Sequence, residues 1–576
     1  MLAAGSVEGE EFTAQAVAQV QGLDDLQVLR MLGRELAGRH RLVRELGEAQ
    51  VDGRSLSRYR FSHFLVQQHV YQGLGEGERR LLHRRVGEAL EQLYAGHVME
   101  IAAQLAHHFA GDAGREGRYA AQHAYHEAAR YLSRALETTP GGEHKARYEL
   151  LLARERVCDL ACQRDALRYD LAEMGTLAEE LGAEQQAAVA ARRAGYAYEV
   201  CDFPAAVAAA QVAVQRAQAA GHAGLQAGGH RFWGWARFRQ GAVSTAWSHY
   251  NQALALAQAG GLRALEADAL SSLGDACSDL AEGQRYCAQG LRIAREDGDR
   301  TLEGYVLHRL SNISRQLGDL GASWTGFEQC LGLARAIGDP RLESYALACL
   351  GQGCYQLGDY PRARVYFEQA RRICEEGEDH YLAALLLGYL ADVARSEGEP
   401  GEAWTYAEGA LRVSREVGAP EAERVSLCRL GSLYRDLSDH SPSRDCYRQA
   451  MRASRPYGQS YDMEPLAGLA RSYLAQGDLG QAQAHVAEIL AYLDAGGSLN
   501  ADCKPFWTYL TCCQVLDAAG DPRAVEILAK AYAQLQEWAA RIPDDALRRS
   551  FLENVAENQE IRRSWEAVQA GEDGLG

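Results

Sequence analysis

The sequence predicts an all-α protein built as a solenoid of helix hairpins, because two series of turn residues recur along it at a nearly fixed interval. Gly-Asp and related pairs begin at Gly318, Gly358, Gly398, Ser438 and Gly477, with separations of 40, 40, 40 and 39 residues. Further glycines stand about midway between these pairs, at positions 298, 338, 377, 418 and 458, and the midway series extends back through 182, 221 and 261. Two breaks in each unit indicate two helices in each unit, and such helix pairs are stable only when they stack.

Composition and charge agree with an ordered helical stack. The chain has 576 residues, which is long for one compact core, and it contains 12 prolines, 47% hydrophobic residues and 24% charged residues. The net charge of −18 argues against a surface that binds nucleic acid or acidic membranes everywhere, although a local basic patch is compatible with it. The sequence lacks a signal peptide and a long apolar run, which predicts a cytoplasmic protein.

The cysteines and lysines add two smaller expectations. The 14 cysteines follow no disulfide-framework spacing, so Cys349, Cys354 and Cys428 are predicted to be small buried hydrophobes in a reducing compartment. Lysine is nearly absent while arginine and alanine abound, which suggests a bacterial source with a GC-rich genome.

The residues within one unit carry a family resemblance. Leu350-Gly351 lies on the first helix, Gly358-Asp359 forms the turn, and Ala363, Phe367 and Ala370 share one face of the second helix. This pattern resembles the tetratricopeptide repeat, which implies a right-handed superhelix, and residues 344–370 match it best. The unit at 262–299 is short by about three residues near its turn. The predicted units are 98–137, 143–182, 184–221, 223–261, 262–299, 300–339, 340–378, 380–418, 420–458, 460–497 and 499–541.

The first hundred residues lack the 40-residue interval and form a separate region. Residues 11–20 and 25–37 are predicted helices, residues 58–61 alternate as a short strand does, and an amphipathic helical region follows. Residues 2–12 and 61–91 resemble the winged-helix region that precedes tetratricopeptide repeats in bacterial signalling ATPases of the STAND class, and residues 549–565 resemble their closing helix. The predicted domains are a winged-helix-like domain at 1–97, degenerate repeats at 98–222, the repeat solenoid at 223–541, and a capping helix with a short tail at 542–576.

The sequence contains no phosphate-binding loop. That loop requires a lysine directly after glycine, and none of Lys145, Lys504 and Lys530 follows one, while the glycine-rich stretch 73–77 carries Glu76 at its centre. We therefore expect no ATP hydrolysis and no cofactor. The resemblance implies that the chain is the regulatory and sensing half of a signalling ATPase-type regulator, whose ATPase or output domain is joined to it in cis or binds it in trans.

The resemblance also implies a binding groove lined by first helices of the repeats. One column on that face holds Arg315, Tyr355, Arg395 and Arg435, and planar guanidinium groups spaced along a groove suit an acidic protein or peptide partner. The alternative is structural, because an arginine before a turn also covers the hairpin with its long apolar stem. The other predicted groove residues are Trp235, Arg239, His308, Asn312, Tyr345 and Gln352.

The sequence also contains candidates for two other classes of site. A DNA-binding transcriptional regulator would need a basic cluster on one exposed helix, and the candidates are Arg58, Arg60, Arg79, Arg80, Arg84 and Arg85. In the resembled ATPases this region usually serves as a packing and switching domain between the nucleotide-binding module and the repeats. Arginines beside apolar helices are usually solvated. Histidines at 107, 108, 123 and 126 have a spacing that could bind one metal ion, but packing in an ordinary helix pair is the commoner role, so no metal is expected. No nucleophile motif marks an enzyme, and the leading prediction is a non-catalytic interaction and regulatory scaffold.

Overall fold

A computed structural model of the chain describes residues 1–9, 11–51, 54–62, 66–67, 70–71, 74–94, 128–130, 132–160, 163–277, 279–377, 379–455, 459–499 and 504–571. Its internal contacts divide it into two compact units. One comprises Met1–Leu181 and Arg335–Asp339, and the other comprises Gly182–Ala334 and Pro340–Gly576.

The first unit begins with helices and a small antiparallel sheet. The helices are Leu2–Glu8, Ala14–Gln21, Asp25–Arg30 continuing as the π-helix Met31–Arg39, and Glu76–Leu93, and the strands are β1 Glu11–Thr13, β2 Val43–Val51 and β3 Arg54–Phe61. The strand order is β1-β3-β2. Helical residues follow at 128–130 and 132–138, and then come the helices His144–Leu160 and Arg164–Leu181.

The sheet is larger than the sequence predicted. Residues 11–13 form a strand instead of opening a helix, and the strand predicted at 58–61 begins at Arg54 and pairs with β2. A bulge between Glu45 and Gly47 interrupts the pairing, so the alternation that identifies a strand is broken in the sequence of β2. Buried Leu56, Tyr59 and Phe61 hold the hairpin to the helices and form part of the core of this unit.

The second unit is a solenoid of helix pairs, as the sequence predicted. Successive helices pack as neighbours, and alternate helices also touch. The helix Arg263–Asp275 has 13 residues against 17 in Ala223–Arg239, which confirms the residues missing near that turn. The helices are Ala183–Glu199, Phe203–Ala219, Ala223–Arg239, Val243–Ala259, Arg263–Asp275, Leu280–Asp297, Arg300–Gln316, Leu320–Ile337, Pro340–Gln356, Tyr360–Glu376, His380–Ser396, Pro400–Glu416, Pro420–Asp436, His440–Ser454, Met463–Ala475, Leu479–Asp494, Pro505–Ala518, Arg523–Ala540, Asp545–Glu553 and Ala556–Ala570.

Glycines serve two different purposes in this stack. The turn glycines Gly318, Gly358 and Gly398 have φ values of 76°, 75° and 82°, a left-handed conformation that costs other residues about 1 kcal/mol. Ser438 takes the same role with a φ of 60°. Glycines inside helices instead permit close packing, since a Cβ at Gly468 would lie 2.3 Å from the Tyr447 ring.

Residues after 541 form two helices, not the single capping helix that the sequence predicted. Phe551 and Ile561 are buried, one in each helix, and the Trp565 ring stacks on Tyr532 with centroids 5.6 Å apart. The short loop at Asn554-Val555 lets both helices cover the apolar face of Arg523–Ala540, which a single straight helix of that length could not do. No helix among the described residues is both long and apolar enough to cross a bilayer.

Candidate functional site

The inner face of the second unit is formed by the first helix of each pair. It is identified by contacts that cross between helices far apart in sequence. The Lys504 ammonium lies 2.6 Å from Asp392, and the Arg341 guanidinium lies 2.6 Å from the Glu199 carboxylate. All the groove residues that the sequence named lie on first helices.

Arg395 and Arg435 occupy equivalent positions on the helices His380–Ser396 and Pro420–Asp436, and both contact one carboxylate. The Asp436 side chain accepts from Arg395 at 3.3 Å and from Arg435 at 3.0 Å. Asp436 therefore accepts hydrogen bonds from two guanidinium groups, and Asp392 and Glu557 add negative charge near Arg395. Arg395 Nε and one terminal nitrogen of Arg435 are buried and have no hydrogen-bond partner among the described residues.

A third arginine, which the sequence analysis missed, completes this group. Arg471 Nε donates to the Thr511 hydroxyl at 2.8 Å, and one terminal nitrogen of Arg471 is buried without a partner among the described residues. The guanidinium carbons of Arg435 and Arg471 lie 5.7 and 5.1 Å from the centre of the Trp507 ring. The pKa of Arg471 is lowered to about 10, first by burial and second by the charge of Arg435, because two like charges face the same small volume.

Arg315, Asn312, Gln352 and Tyr355 lie together further along the inner face. Arg315 donates to the Asn312 side-chain oxygen at 2.9 and 3.3 Å, so part of its hydrogen-bonding capacity is used within its own helix. The Tyr355 ring lies 5.5 Å from Tyr360 and 5.8 Å from the Lys504 ammonium. Arg315, Gln352 and Tyr355 also line a cavity of about 20 Å³, which has room for little more than a water molecule.

A buried ion network borders this cavity. Asp392 lies 2.7 Å from Arg429 and 2.6 Å from Lys504, and Glu464 lies 2.6 Å from Arg429 and 3.3 Å from Arg424. Burial opposes ionisation of Asp392, but Arg429 and Lys504 outweigh it and lower the pKa of that carboxyl. The sequence carried a signal for Asp392, because a single carboxylate interrupts an apolar helix at the position equivalent to Asn312 and Gln352. It carried none for the pairing with Lys504, which is 112 residues away.

Trp235 and Arg239 lie together at the other end of the inner face. The Trp235 indole donates to the Ser272 hydroxyl at 3.0 Å, and its ring lies 5.5 Å from Tyr198. Arg239 donates to the Tyr198 hydroxyl at 3.2 Å and lies 3.6 Å from the Glu421 carboxylate. It also donates to the Tyr381 hydroxyl, so it connects its own helix to three other first helices.

His308 and Tyr345 form a separate aromatic pair. Their rings meet edge to face with centroids 5.6 Å apart, and His308 Nε2 lies 3.4 Å from the Cys349 sulfur. The pKa of His308 is lowered to about 4, first by burial and then by the charges of Arg309 and Arg239. Cys349 is partly buried while Cys354 and Cys428 are buried, and each is a free thiol.

Comparison with known proteins identifies the repeats. A tetratricopeptide repeat family model matches residues 342–416 and 381–455. Residues 342–455 are tetratricopeptide repeats. Among proteins with curated functions, none matches the chain.

Solved structures with the same kind of fold are distant in sequence. The Cut9–Hcn1 complex of the APC/C matches 76% of this chain and 85% of its own, with 15% identity and a TM-score of 0.46. A Rap protein complexed with competence and sporulation factor matches 59% of this chain and 96% of its own, with 12% identity and a TM-score of 0.41. A STAND protein with a tetratricopeptide repeat sensor, PH0952 from Pyrococcus horikoshii, matches 79% and 63%, with 14% identity and a TM-score of 0.29.

The arginines considered for DNA binding lie outside the tetratricopeptide repeats and do not share one helix. Arg58 and Arg60 lie on β3, and both contact the Glu11 carboxylate, Arg58 at 2.6 Å. Arg79 Nε donates to the Leu74 carbonyl at 2.9 Å. The helix Glu76–Leu93 contains Arg79, Arg80, Arg84 and Arg85, and the last two are exposed.

The histidines considered for metal binding, at 107, 108, 123 and 126, lie outside the described residues. Within the part of the chain that the structure describes, no group of three or more His, Cys, Asp or Glu side chains is arranged to hold a metal ion.

Proposed function

We propose that the chain is a non-catalytic regulatory scaffold that binds an acidic segment of a protein partner in the groove of its tetratricopeptide repeats. The observation that carries this proposal is the group Arg395, Arg435 and Arg471. Each of the three has a buried guanidinium nitrogen without a partner among the described residues. An unsatisfied buried donor costs roughly 1–3 kcal/mol, and a carboxylate offers the acceptors that would remove this cost.

Binding requires the groove to open. The cavity of about 20 Å³ beside Arg315 and Lys504 is too small for a peptide, and the Trp507 ring lies against Arg435 and Arg471. An acidic segment would compete with Asp436 for Arg395 and Arg435, and it would move the helix Pro505–Ala518 away from the inner face. The segment thus stabilises an open form at the expense of the closed one. We propose that an ATPase or output domain, in cis or in trans, responds to that change through the first hundred residues.

The test is binding of a fluorescein-labelled, glutamate-rich peptide measured by anisotropy. We expect the triple substitution Arg395→Gln, Arg435→Gln and Arg471→Gln to weaken binding at least tenfold, because each arginine supplies a charge-assisted hydrogen bond. The matched control is Arg292→Gln, Arg372→Gln and Arg412→Gln, three exposed arginines on second helices. Circular dichroism of both triple variants should show the helix content of the wild type.

Two outcomes would contradict this assignment. Equal affinity in the wild type and the groove variant would place the peptide elsewhere. Equal loss in both variants would indicate that only the net charge of the chain matters.

A second variant, Arg315→Gln, tests the column that the sequence predicted, and we expect a smaller effect on peptide affinity because Arg315 already donates to Asn312.

A further inference from the structure

The last two helices, Asp545–Glu553 and Ala556–Ala570, pack against a turn that is far from them in sequence, and we call them the C-terminal pair. The Tyr360 hydroxyl donates to the Asn554 carbonyl at 3.5 Å, across 194 positions of the chain. A Cβ at Gly358 would lie 3.0 Å from the Asn554 Cβ. The start of the helix Ala556–Ala570 is therefore held beside the turn at Gly358.

The C-terminal pair also packs on the helix Pro505–Ala518, which contacts the arginines of the proposed site. The Phe551 ring meets the Phe506 ring edge to face, with centroids 6.0 Å apart. Phe506 precedes Trp507, whose ring lies against Arg435 and Arg471. We call the arginines of the proposed site the groove arginines, and they are Arg395, Arg435 and Arg471.

Glu557 brings a negative charge from the C-terminal pair towards the groove arginines. It stands three residues after Asn554, in the first turn of its helix, and is half-buried. The Tyr360 ring, whose hydroxyl contacts Asn554, lies 5.5 Å from the Tyr355 ring. Tyr355 occupies the repeat position of Arg395, so the start of this helix lies beside the column that contains the groove arginines.

The titration of two groove arginines agrees with this placement. Burial opposes the positive charge of Arg395, but Tyr355 and three carboxylates, one of them Glu557, outweigh burial and raise its pKa. Burial and the charge of Arg435 lower the pKa of Arg471 to about 10, and Glu557 acts in the opposite direction. Glu557 therefore stabilises the charged form of both guanidinium groups.

We infer that the C-terminal pair is an autoinhibitory lid, in which Glu557 supplies the negative charge that an acidic ligand would bring to the groove arginines. The lid has this role only if the groove arginines bind an acidic partner, so it rests on the proposed function. It adds a regulator of that site within the same chain, because the C-terminal pair and the partner compete for the same positive charge.

An acidic ligand can displace Glu557 because the two differ in how directly they reach the arginines. Among the described residues Glu557 forms no ion pair of its own with a groove arginine, whereas Asp436 accepts from Arg395 and Arg435. A ligand carboxylate that bonds the buried, unpartnered guanidinium nitrogens makes charge-assisted hydrogen bonds, which are stronger than attraction at a distance.

A structural role for Glu557 predicts a different result. A carboxylate in the first turn of a helix stabilises that helix through its dipole, whatever lies opposite. Asp545 has the same place in the other helix of the C-terminal pair, and its side chain is 83% exposed and pairs with Arg548. Asp545→Asn is therefore the matched control, since it removes a first-turn carboxylate that does not face the groove arginines.

The first measurement is hydrogen exchange of the full chain without peptide. The substitutions Arg395→Gln, Arg435→Gln and Arg471→Gln remove the charges that attract Glu557, so exchange in Ala556–Ala570 should increase. Exchange in the distant helix Ala183–Glu199 should keep the wild-type rate. Unchanged exchange in Ala556–Ala570 would overturn the lid, whether or not the proposed function is correct.

The second measurement is anisotropy of the fluorescein-labelled, glutamate-rich peptide with the full chain. We expect Glu557→Gln to tighten peptide binding about threefold, within the range of charge interactions at half-exposed sites. Glu557→Lys, which repels the groove arginines, should tighten binding further, and Asp545→Asn should bind as the wild type does.

The outcomes separate the lid from the proposed function. Unchanged affinity in Glu557→Gln, with binding still lost in the triple arginine variant, would overturn the lid and leave the proposed function standing. An equal gain in Glu557→Gln and Asp545→Asn would also overturn the lid, because net charge alone would explain it. Equal affinity in the wild type and the triple arginine variant would contradict the proposed function instead.

Discussion

At the residue scale, the same side chain acquires different properties from its surroundings. Arg395 and Arg435 share Asp436, Arg315 donates to its own helix, and Arg471 lies with Arg435 beside the Trp507 ring. Arg315, Arg395 and Arg435 occupy the same position in their repeats, but that position does not determine their hydrogen-bond partners. The partner is a residue of the same helix for Arg315 and Arg435 and a residue of the next first helix for Arg395. Arg395, Arg435 and Arg471 each have a buried guanidinium nitrogen without a hydrogen-bond partner among the described residues, and they lie next to one another at Asp436 and Trp507.

His308 provides a prediction about acid stability. Its pKa in the folded protein is lowered to about 4 by burial and by nearby arginines, whereas an unfolded histidine titrates near 6.5. Between these values the unfolded chain binds a proton that the folded chain does not, so the free energy of unfolding should fall as pH is lowered through this window. The loss from this one residue is at most about 3 kcal/mol.

We expect His308→Gln to reduce that loss. The measurement is urea unfolding followed by circular dichroism at neutral pH and near pH 4.5, in the wild type and the variant. Some pH dependence should remain, because the pKa of His249 is also lowered to about 4. His380→Gln, at an exposed helix start, is the control and should retain the wild-type pH profile. A variant whose stability falls with acid as steeply as the wild type would show that His308 is not the group responsible.

At the element scale, the C-terminal helices pack on turns far from them in sequence. A Cβ at Gly318 would lie 2.1 Å from the Trp538 indole nitrogen, and the Arg541 guanidinium donates to the Leu317 carbonyl at 2.7 Å. Gly398 occupies the same turn position two units later, and no atom lies within 4 Å of the Cβ position there. The two turns therefore have the same backbone and different neighbours.

This difference predicts unequal costs for the same substitution. Gly398→Ala should lower the free energy of unfolding by about 1 kcal/mol, the cost of a left-handed alanine. Gly318→Ala adds a steric clash with Trp538 and should cost an additional 1–3 kcal/mol, roughly the penalty for overpacking. Thermal unfolding and Trp fluorescence of both variants provide the measurement. Equal costs would mean that Trp538 moves away freely.

Much of the fold follows from the sequence because each repeat is a local pattern. Leu350-Gly351, Gly358-Asp359 and Phe367 identify a helix, a turn and a second helix within about 20 residues. The predicted units begin and end within a few residues of the helix pairs observed from Ala183 onward. The β2 strand was missed because its bulge disrupts the alternation. The two C-terminal helices were predicted as one because no glycine or proline marks the break at Asn554-Val555.

The candidate site was less predictable for a physical reason. The family resemblance assigned the inner face to the first helices, but the sequence could not show which side chains meet across that face. The contacts Lys504–Asp392 and Arg239–Tyr381 join residues 112 and 142 positions apart. Such contacts depend on the curvature of the stack, which accumulates from small rotations between units and leaves no local pattern.

At the scale of the whole molecule, contacts across the inner face of the second unit hold distant repeats together. Arg239 reaches Tyr381 and Glu421, and Arg341 pairs with Glu199. In a stack held only by neighbouring contacts, each repeat would open independently of repeats beyond its neighbours. These cross contacts instead couple the helix Ala183–Glu199 to helices beyond Pro340, so opening at one place should be detected at the other.

Hydrogen exchange of the full chain can measure this coupling. We expect Arg341→Met to increase exchange both in Ala183–Glu199 and in Pro340–Gln356, because the change removes the ion pair with the Glu199 side chain, which is only 18% exposed. Arg412→Met is the control, since its pair with Glu416 is exposed and contributes only about 0.3–0.5 kcal/mol. Increased exchange confined to Pro340–Gln356 would show that the cross contact carries no coupling. Increased exchange in both helices would show that loss of one contact across the inner face loosens repeats far away in sequence. A ligand that breaks such contacts could then act on repeats it does not touch, which regulation through the groove requires.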